Sequence, residues 1–312
     1  MTATPTTRRV AAIDCGTNSL RLLVADVDTE AGTLVDLHRQ MEIVRLGEGV
    51  DRTGRLGDDA LARTFAVCDR YAETLRDLGA QQVRFVATSA SRDAENRDDF
   101  VSGVLARIGV EPEVVTGDEE ARLSFTGATR GLTGAEAPYL VVDIGGGSTE
   151  FVLGTDAPVG LVSLDMGCVR ITEQFLHSDP PAAEELSNAI AMVRDLVADV
   201  PRVIPGALDA ATLVGVAGTV TTVAAVELGL AEYDAEKIHG FRLTRAAVED
   251  VFRTFATETA EQRASNPGLE PGRVDVIVGG TAVLAGMLRQ LEFDEVLVSE
   301  SDILDGLVRS QL

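Results

Sequence analysis

Two stretches of this chain repeat the same side chains at the same spacing. Ala11 to Val24 reads A-A-I-D-C-G-T-N-S-L-R-L-L-V and Leu140 to Leu153 reads L-V-V-D-I-G-G-G-S-T-E-F-V-L. Asp14, Gly16 and Ser19 therefore fall in register with Asp143, Gly145 and Ser148. Each stretch reads as a buried strand that delivers an aspartate to a tight turn, with a second strand leading away. Glycine at such a turn permits positive φ and leaves backbone N–H groups free to face an anion. Two such turns, one in each half of a duplicated domain, would make opposite walls of a phosphate-binding cleft. Ordinary hairpins would need glycine for turn geometry, but not the acid and the serine in step with it. Glu150 sharpens the reading, because an acid inside the apolar run T-E-F-V-L is costly unless it faces a cleft or a partner.

The elements that must carry these groups alternate between strand and helix. Residues 9–46 read as strands, with a turn at Cys15–Ser19 and a polar break near Thr29–Gly32. From Gly57 the apolar positions Leu61, Phe65, Cys68, Ala72, Leu75 and Leu78 recur at helical spacing and stop at Gly79, which makes Cys68 a core residue. A strand at Val83–Ala87 leads into T-S-A-S-R-D-A-E-N, and a helix is expected from Asp93 to Ile108. After a short strand at Glu113–Val115, the acids Asp118, Glu119 and Glu120 would occupy a helix's first turn, where the macrodipole favours them.

The second half repeats the plan. It has the hairpin at 140–153, a strand near Val159–Leu164, and helices over Val169–His177 and Ala182–Val200. The buried run Ala211–Val216 then meets Gly218 and Thr219 at the start of a helix running to Leu230, a junction that aims helix N–H groups at an anion. A second Gly-bearing helix start lies at 278–287, and Glu295–Ser299 is a last strand before a C-terminal helix. Such alternation implies an α/β architecture.

Composition narrows the chemistry. The 312 residues suffice for two domains, and 45% apolar with 25% charged content is that of a soluble globular protein. No apolar run approaches the roughly 20 residues of a membrane span, and no signal-peptide core precedes the first strand, so a cytoplasmic protein is expected. Cys15, Cys68 and Cys168 are odd in number and far apart, which suits reduced thiols, and the three histidines lack zinc-site spacing. A formal charge of −23 repels nucleic acid and anionic membranes. A phosphate substrate would need arginines, backbone amides or a divalent metal to reverse that field locally. Lys237 is the only lysine, which excludes a G-x-x-x-x-G-K-[ST] phosphate loop and a kinase-type strand lysine.

D-C-G-T-N-S at 14–19, S-R at 91–92, G-D-E-E-A-R at 117–122, D-I-G-G-G-S-T-E at 143–150 and A-G-T at 217–219 together resemble one family. It is the exopolyphosphatase and guanosine pentaphosphate phosphohydrolase (Ppx/GppA) family, of the actin, heat-shock ATPase and sugar-kinase superfamily. The resemblance runs from about Val10 to Leu307. It implies an α/β fold of two ribonuclease-H-like (actin-like ATPase) lobes flanking a central cleft, divided as 1–122 and 123–299, with 300–312 packing back on the first lobe. It implies Glu120 as the general base, Asp143 and Glu150 as ligands of Mg²⁺, and Mn²⁺ as a possible substitute. Substrate phosphates would lie on Asp14, Gly16, Thr17, Asn18, Ser19, Arg92, Gly145, Gly146, Gly147, Ser148, Gly218 and Thr219. A homodimer is implied as well. Long members carry a further C-terminal helical domain, and this sequence stops before it, which leaves the preferred polymer length open.

Phosphoanhydride hydrolysis asks for such groups: a positioned water, neutralised non-bridging oxygens and an open path for the leaving phosphate. Two carboxylates flanking a hairpin turn, Asp143 and Glu150, can face one hard cation. Like charge near Glu120 would raise its pKa towards the range useful to a base. The expected reaction is removal of terminal orthophosphate from inorganic polyphosphate, with the 5′ γ-phosphate of guanosine pentaphosphate as the alternative substrate. An ATP-dependent small-molecule kinase and a non-catalytic (p)ppGpp or polyphosphate sensor are the alternatives of other classes. Cys15 to Arg21 also fits the C-x5-R spacing of cysteine-dependent phosphatases, but the residues that follow read as a strand where those enzymes need a helix.

Overall fold

The structure is a computed structural model that describes residues 7–28, 30–130 and 132–312. Residues 1–6, ahead of the first strand, and Thr29 of the polar break lie outside the described residues. The chain forms two compact units, Met1–Thr116 with Ile303–Leu312, and Gly117–Asp302.

The first unit is built on β1 (Thr7–Cys15), β2 (Ser19–Asp28) and β3 (Leu34–Ile43), followed by α1 (Val50–Thr53), α2 (Asp58–Leu78), β4 (Gln82–Ala87), α3 (Ser89–Asp93), α4 (Arg97–Ile108) and β5 (Glu113–Val114). Its sheet has the order β3-β2-β1-β4-β5, with β1 antiparallel to β2 and parallel to β4. Alternate residues of β1 and β2, including Ile13, Leu20 and Leu22, face a core with Leu61, Cys68 and Leu75 of α2 and Phe100 and Val104 of α4. Gly79 ends α2 in the left-handed region at φ 67, its N–H donating to the Arg76 carbonyl. The helix expected from Asp93 to Ile108 begins at Arg97 instead, because Asp93 closes the separate α3 and Ala94 is extended. The amide of Asn96 then bonds both the N–H and the carbonyl of Leu56, tying the break to the segment before α2.

The second unit opens with α5 (Gly117–Thr129), then β6 (Tyr139–Ile144), β7 (Thr149–Gly154), β8 (Pro158–Leu164), α6 (Cys168–Phe175), α7 (Ala183–Val197), α8 (Val200–Val203), β9 (Thr212–Val216) and α9 (Ala217–Glu227). It closes with α10 (Ala235–Ile238), β10 (Arg242–Thr244), α11 (Arg245–Thr257), α12 (Ala260–Arg263), α13 (Ile277–Gln290) and β11 (Glu295–Val298). The sheet order is β10-β11-β9-β6-β7-β8. Reading from β8, an antiparallel trio followed by parallel β9 and β11 repeats the plan of the first sheet, with β10 added at the edge. The duplicated α/β plan expected from the twin hairpins is thus present strand by strand.

The unit boundary differs from the expected division at 122/123, which would cut α5. Ala121, Phe125 and Ala128 of α5 bury themselves against Val141, Val152, Val214 and Val216 of the second sheet, so the whole helix belongs there. The chain returns to the first unit at Ile303, where α14 (Ile303–Arg309) packs on β1 and β2. Asp305 accepts a salt bridge from Arg39, and Gln311 donates to the Ala11 carbonyl.

Candidate active site

Strand alternation decides where the acids of the second hairpin point. Leu140, Val142, Ile144, Phe151 and Leu153 fill the large core on one face of the sheet. Val141, Asp143, Glu150 and Val152 therefore share the opposite face, the one that α5 covers. Asp143 lies opposite Glu150 in the β6–β7 register, and Glu150 lies opposite Ser163 in the β7–β8 register. Asp143, Glu150 and Ser163 thus form a row across three strands, with the two acids 7% and 1% exposed.

Helix α5 crosses this row. Gly117 meets Ser163 at its start, where an added Cβ would stand 2.7 Å from the serine Cβ. One heptad later, Ser124 Oγ donates to Asp143 Oδ2 at 2.6 Å. Seven helical residues rise about 10.5 Å, close to the roughly 9.6 Å between the outer two of three adjacent strands. Glu120, buried at 8% exposure, falls between those two contacts on the same helix face. Ser163 Oγ completes the set by donating to Glu150 Oε1 at 2.6 Å.

The first hairpin is chemically different at the same position. Arg21 lies opposite Asp14 and donates to its Oδ2 from Nε at 3.0 Å and from Nη2 at 2.7 Å. One hairpin therefore carries an internal ion pair, and its repeat carries two carboxylates side by side. Like charges directly opposite one another on a strand pair are destabilising, and burial magnifies the cost. The donor set at Asp143 and Glu150 is hard oxygen with a charge to match a divalent cation. It fits Mg²⁺, which binds through one or two carboxylates together with substrate phosphates. Among the described residues no group of three or more His, Cys, Asp or Glu forms a closed metal cage.

The two turns share one backbone hydrogen bond, Gly16 N–H to Ser19 O at 2.9 Å and Gly145 N–H to Ser148 O at 3.0 Å. None of Gly16, Gly145, Gly146 and Gly147 has positive φ, contrary to the expectation from sequence. Space is tight at Gly145, where a Cβ would stand 3.1 Å from the Ser148 carbonyl, whereas one on Gly16 would make an ordinary contact at 3.6 Å. Gly167 backs the second turn so closely that a Cβ on it would reach 2.2 Å from Gly146 O. Cys168 N–H donates to Gly145 O, Val169 N–H to Gly146 O, and Arg170 Nε to Gly147 O. The turn's carbonyls are thereby drawn back towards α6.

Gly218 and Thr219 follow β9, the parallel neighbour of β6, and so leave the sheet at the same end as the 145–148 turn. Ala217 holds φ 68, a strained value for a residue with a Cβ, and marks the junction. The guanidinium of Arg273 lies where a Cβ on Gly218 would have to go, 2.2 Å away. Cys168 ties the start of α6 to the second turn, since its N–H donates to Gly145 O. Burial pushes its thiol's pKa up, against the pull of Arg273 and Thr219.

In the first unit, the 16–19 turn and the segment after β4 leave the sheet together in the same way. Thr17 Oγ1 and Ser89 Oγ share a hydrogen bond of 2.8 Å, and Thr88 N–H donates to Cys15 O. Arg92 Nη1 donates to Val115 O at 2.9 Å. Asn18 is 5% exposed, and neither side-chain amide atom has a hydrogen-bond partner among the described residues. A buried amide in that state suits a ligand oxygen. Cys15 is buried on β1, its thiol pKa pushed well up by burial and then by Cys68 and Asp14, and β2 follows it as a strand. This is no nucleophile, and the C-x5-R spacing is incidental.

Asp14, Gly16, Thr17, Asn18, Ser19 and Arg92 thus gather in the first unit, and Glu120, Asp143, Gly145, Gly146, Gly147, Ser148, Glu150, Gly218 and Thr219 in the second. Ser124, Ser163, Gly167, Cys168, Arg273 and Ser89 escaped sequence reasoning. Of these, only Ser124 carried a usable signal, its four-residue spacing from Glu120 on a helix.

The model of the Ppx/GppA phosphatase family matches residues 23–312. The curated protein exopolyphosphatase 2 of Mycobacterium tuberculosis is 49% identical over 313 residues, covering 97% of this chain and 98% of that one. Among solved structures, an exopolyphosphatase-like protein superposes with a TM-score of 0.94 at 38% identity, covering 98% of each chain. A Ppx/GppA family member from Aquifex aeolicus superposes at 0.79 with 32% identity, covering 98% of this chain and 97% of its own.

Proposed function

This chain belongs to the Ppx/GppA phosphatase family, and we propose that it is a magnesium-dependent exopolyphosphatase releasing terminal orthophosphate from inorganic polyphosphate. The family and the relative at 49% identity make it a phosphoanhydride hydrolase of α/β, actin-like ATPase fold. The observation that carries the finer reading is the Asp143–Glu150 pair, buried and directly opposed, beneath the helix that bears Glu120.

In this reading Asp143 and Glu150 hold Mg²⁺, which when bound supplies neutralising charge for the phosphate oxygens. Glu120 accepts a proton as water attacks the terminal phosphorus. The new P–O bond forms as the bridging P–O bond breaks, the shortened polymer leaves as an oxyanion, and Glu120 returns its proton to solvent. Backbone N–H groups of the 145–148 turn and of the α9 start bind non-bridging oxygens. Three buried free thiols suit a reducing cytoplasm, and a homodimer is carried as part of the same proposal.

The test is orthophosphate release from polyphosphates of graded length and from guanosine pentaphosphate, with and without Mg²⁺. Polyphosphate is expected to be preferred at least tenfold in kcat/KM, about 1.4 kcal/mol of transition-state discrimination. ATP consumption seen only with a sugar or acid acceptor would overturn the hydrolase reading. Ligand binding without turnover would leave a sensor.

A further inference from the structure

We propose that the segment after β3, residues 44–47, is a clamp that aims the Asn18 amide, and that Arg63 of α2 is the positioning residue that sets it. The proposal rests on the polyphosphatase reading, with Asn18 meeting a phosphate oxygen. The Asn18 side chain is buried and makes no hydrogen bond among the described residues, so its direction follows from its backbone and packing alone. That backbone is held firmly. Val44 N–H and Arg45 N–H both donate to Asn18 O, at 3.0 and 2.8 Å, and Gly47 N–H donates to Thr17 O at 2.8 Å. Val44 and Leu46 are fixed in the core, and Arg45 between them takes φ 52, a conformation that persists in a residue with a Cβ only where its surroundings impose it.

Arg63 acts on the same peptide from its other end. Its Nε donates to Val44 O at 2.9 Å, and its Nη2 reaches Arg45 O at 3.4 Å. The peptide joining Val44 to Arg45 thus accepts from a guanidinium at its oxygen and donates to Asn18 at its nitrogen, a chain in which each bond polarises the next. The second unit repeats the device. There the segment after β8 binds the carbonyls of the 145–148 turn through Cys168 N–H, Val169 N–H and Arg170 Nε. Each segment also brings a glycine against its turn: a Cβ on Gly47 would stand 2.2 Å from Thr17 Cγ2, as one on Gly167 would from Gly146 O. A contact made at the same place in both units serves the turn rather than the local fold.

The test combines heteronuclear NMR of the full chain with a double-mutant cycle in kcat/KM for polyphosphate. The sequence has four asparagines, Asn18, Asn96, Asn188 and Asn266, so isotope labelling of asparagine gives four side-chain amide pairs, and Asn18→Ala identifies one of them. Arg63→Ala is expected to shift the Asn18 pair and leave those of Asn188 and Asn266 in place. Gly47→Ala, which presses on the clamp from the turn side, should shift the same pair. Arg63→Ala should lower kcat/KM by about 10–100-fold, yet by no more than about twofold in an Asn18→Ala background. An Asn18 pair unmoved by Arg63→Ala overturns the clamp whatever the substrate. An undiminished loss in the Asn18→Ala background shows that Arg63 acts elsewhere, and that also overturns the proposal. Full kcat/KM in Asn18→Ala removes its premise. Absence of polyphosphate turnover in the parent defeats the hydrolase reading alone, and the NMR shifts still decide the clamp.

Discussion

Asp143 and Glu150 stand directly opposite each other on β6 and β7, two buried acids at the position where the first hairpin sets Asp14 against Arg21. The two hairpins share their strands, the turn and its hydrogen bond, yet the residue opposite the aspartate differs in sign between them. One hairpin sets its acid against an arginine, and the other sets two acids against each other.

Glu120 is the first residue to test. Glu120→Gln keeps the shape of the side chain and removes its capacity to take a proton. We expect kcat for phosphate release to fall by about 10²–10⁴-fold, with polyphosphate affinity nearly unchanged. Single-turnover release and equilibrium binding on one preparation separate the two, and unimpaired turnover removes Glu120 from the mechanism.

Arg21→Ala deprives the buried Asp14 carboxylate of its ion-pair partner, whose side chain is 18% exposed against 5% for the aspartate. Breaking such a pair costs about 3–5 kcal/mol. The urea midpoint should drop accordingly. The double variant Asp14→Asn, Arg21→Gln should recover much of the loss, because no lone charge then remains buried.

Gly167→Ala would set a methyl group 2.2 Å from Gly146 O, a backbone atom that cannot rotate aside. Overpacking of this kind costs about 1–3 kcal/mol, and relief requires the 145–148 turn to move. Stability and kcat/KM are expected to fall together. A variant that loses stability and retains kcat/KM would show that the turn does not position substrate.

The thiols predict the alkaline limit. Burial pushes Cys68 up to about 12, from an ordinary value of 9.0, and raises Cys15 as well. A native pKa above the unfolded one contributes stability that is complete below about 9 and is lost as pH rises towards 12. Urea midpoints should hold from pH 7 to near 9 and then decline. Thiol reagents should label these cysteines only after unfolding.

The periodic elements were legible in the sequence because their signals are local. Helix α2 shows its apolar face at Leu61, Cys68 and Leu75 and its stop at Gly79, and the two hairpins announce themselves by repetition. The break between α3 and α4 was not legible, since it depends on Asn96 meeting Leu56 forty residues away. The unit boundary was missed for a similar reason: nothing within Gly117–Thr129 states which sheet its apolar side chains will cover. For the candidate site, the turns and acids could be read from type and spacing. The residues that hold them in place could not. Ser163, Gly167 and Arg273 are small or ordinary in sequence and acquire meaning only through neighbours brought in by other strands and helices.

The late return of α14 to β1 and β2 orders events during synthesis. Every residue of Gly117–Asp302 leaves the ribosome before Ile303 does, so the second unit has its whole sequence available while the first still lacks its last helix. Until that helix arrives, the sheet bearing Asp14 waits with β1 and β2 uncovered on one side, and the earlier-translated half is the later to mature.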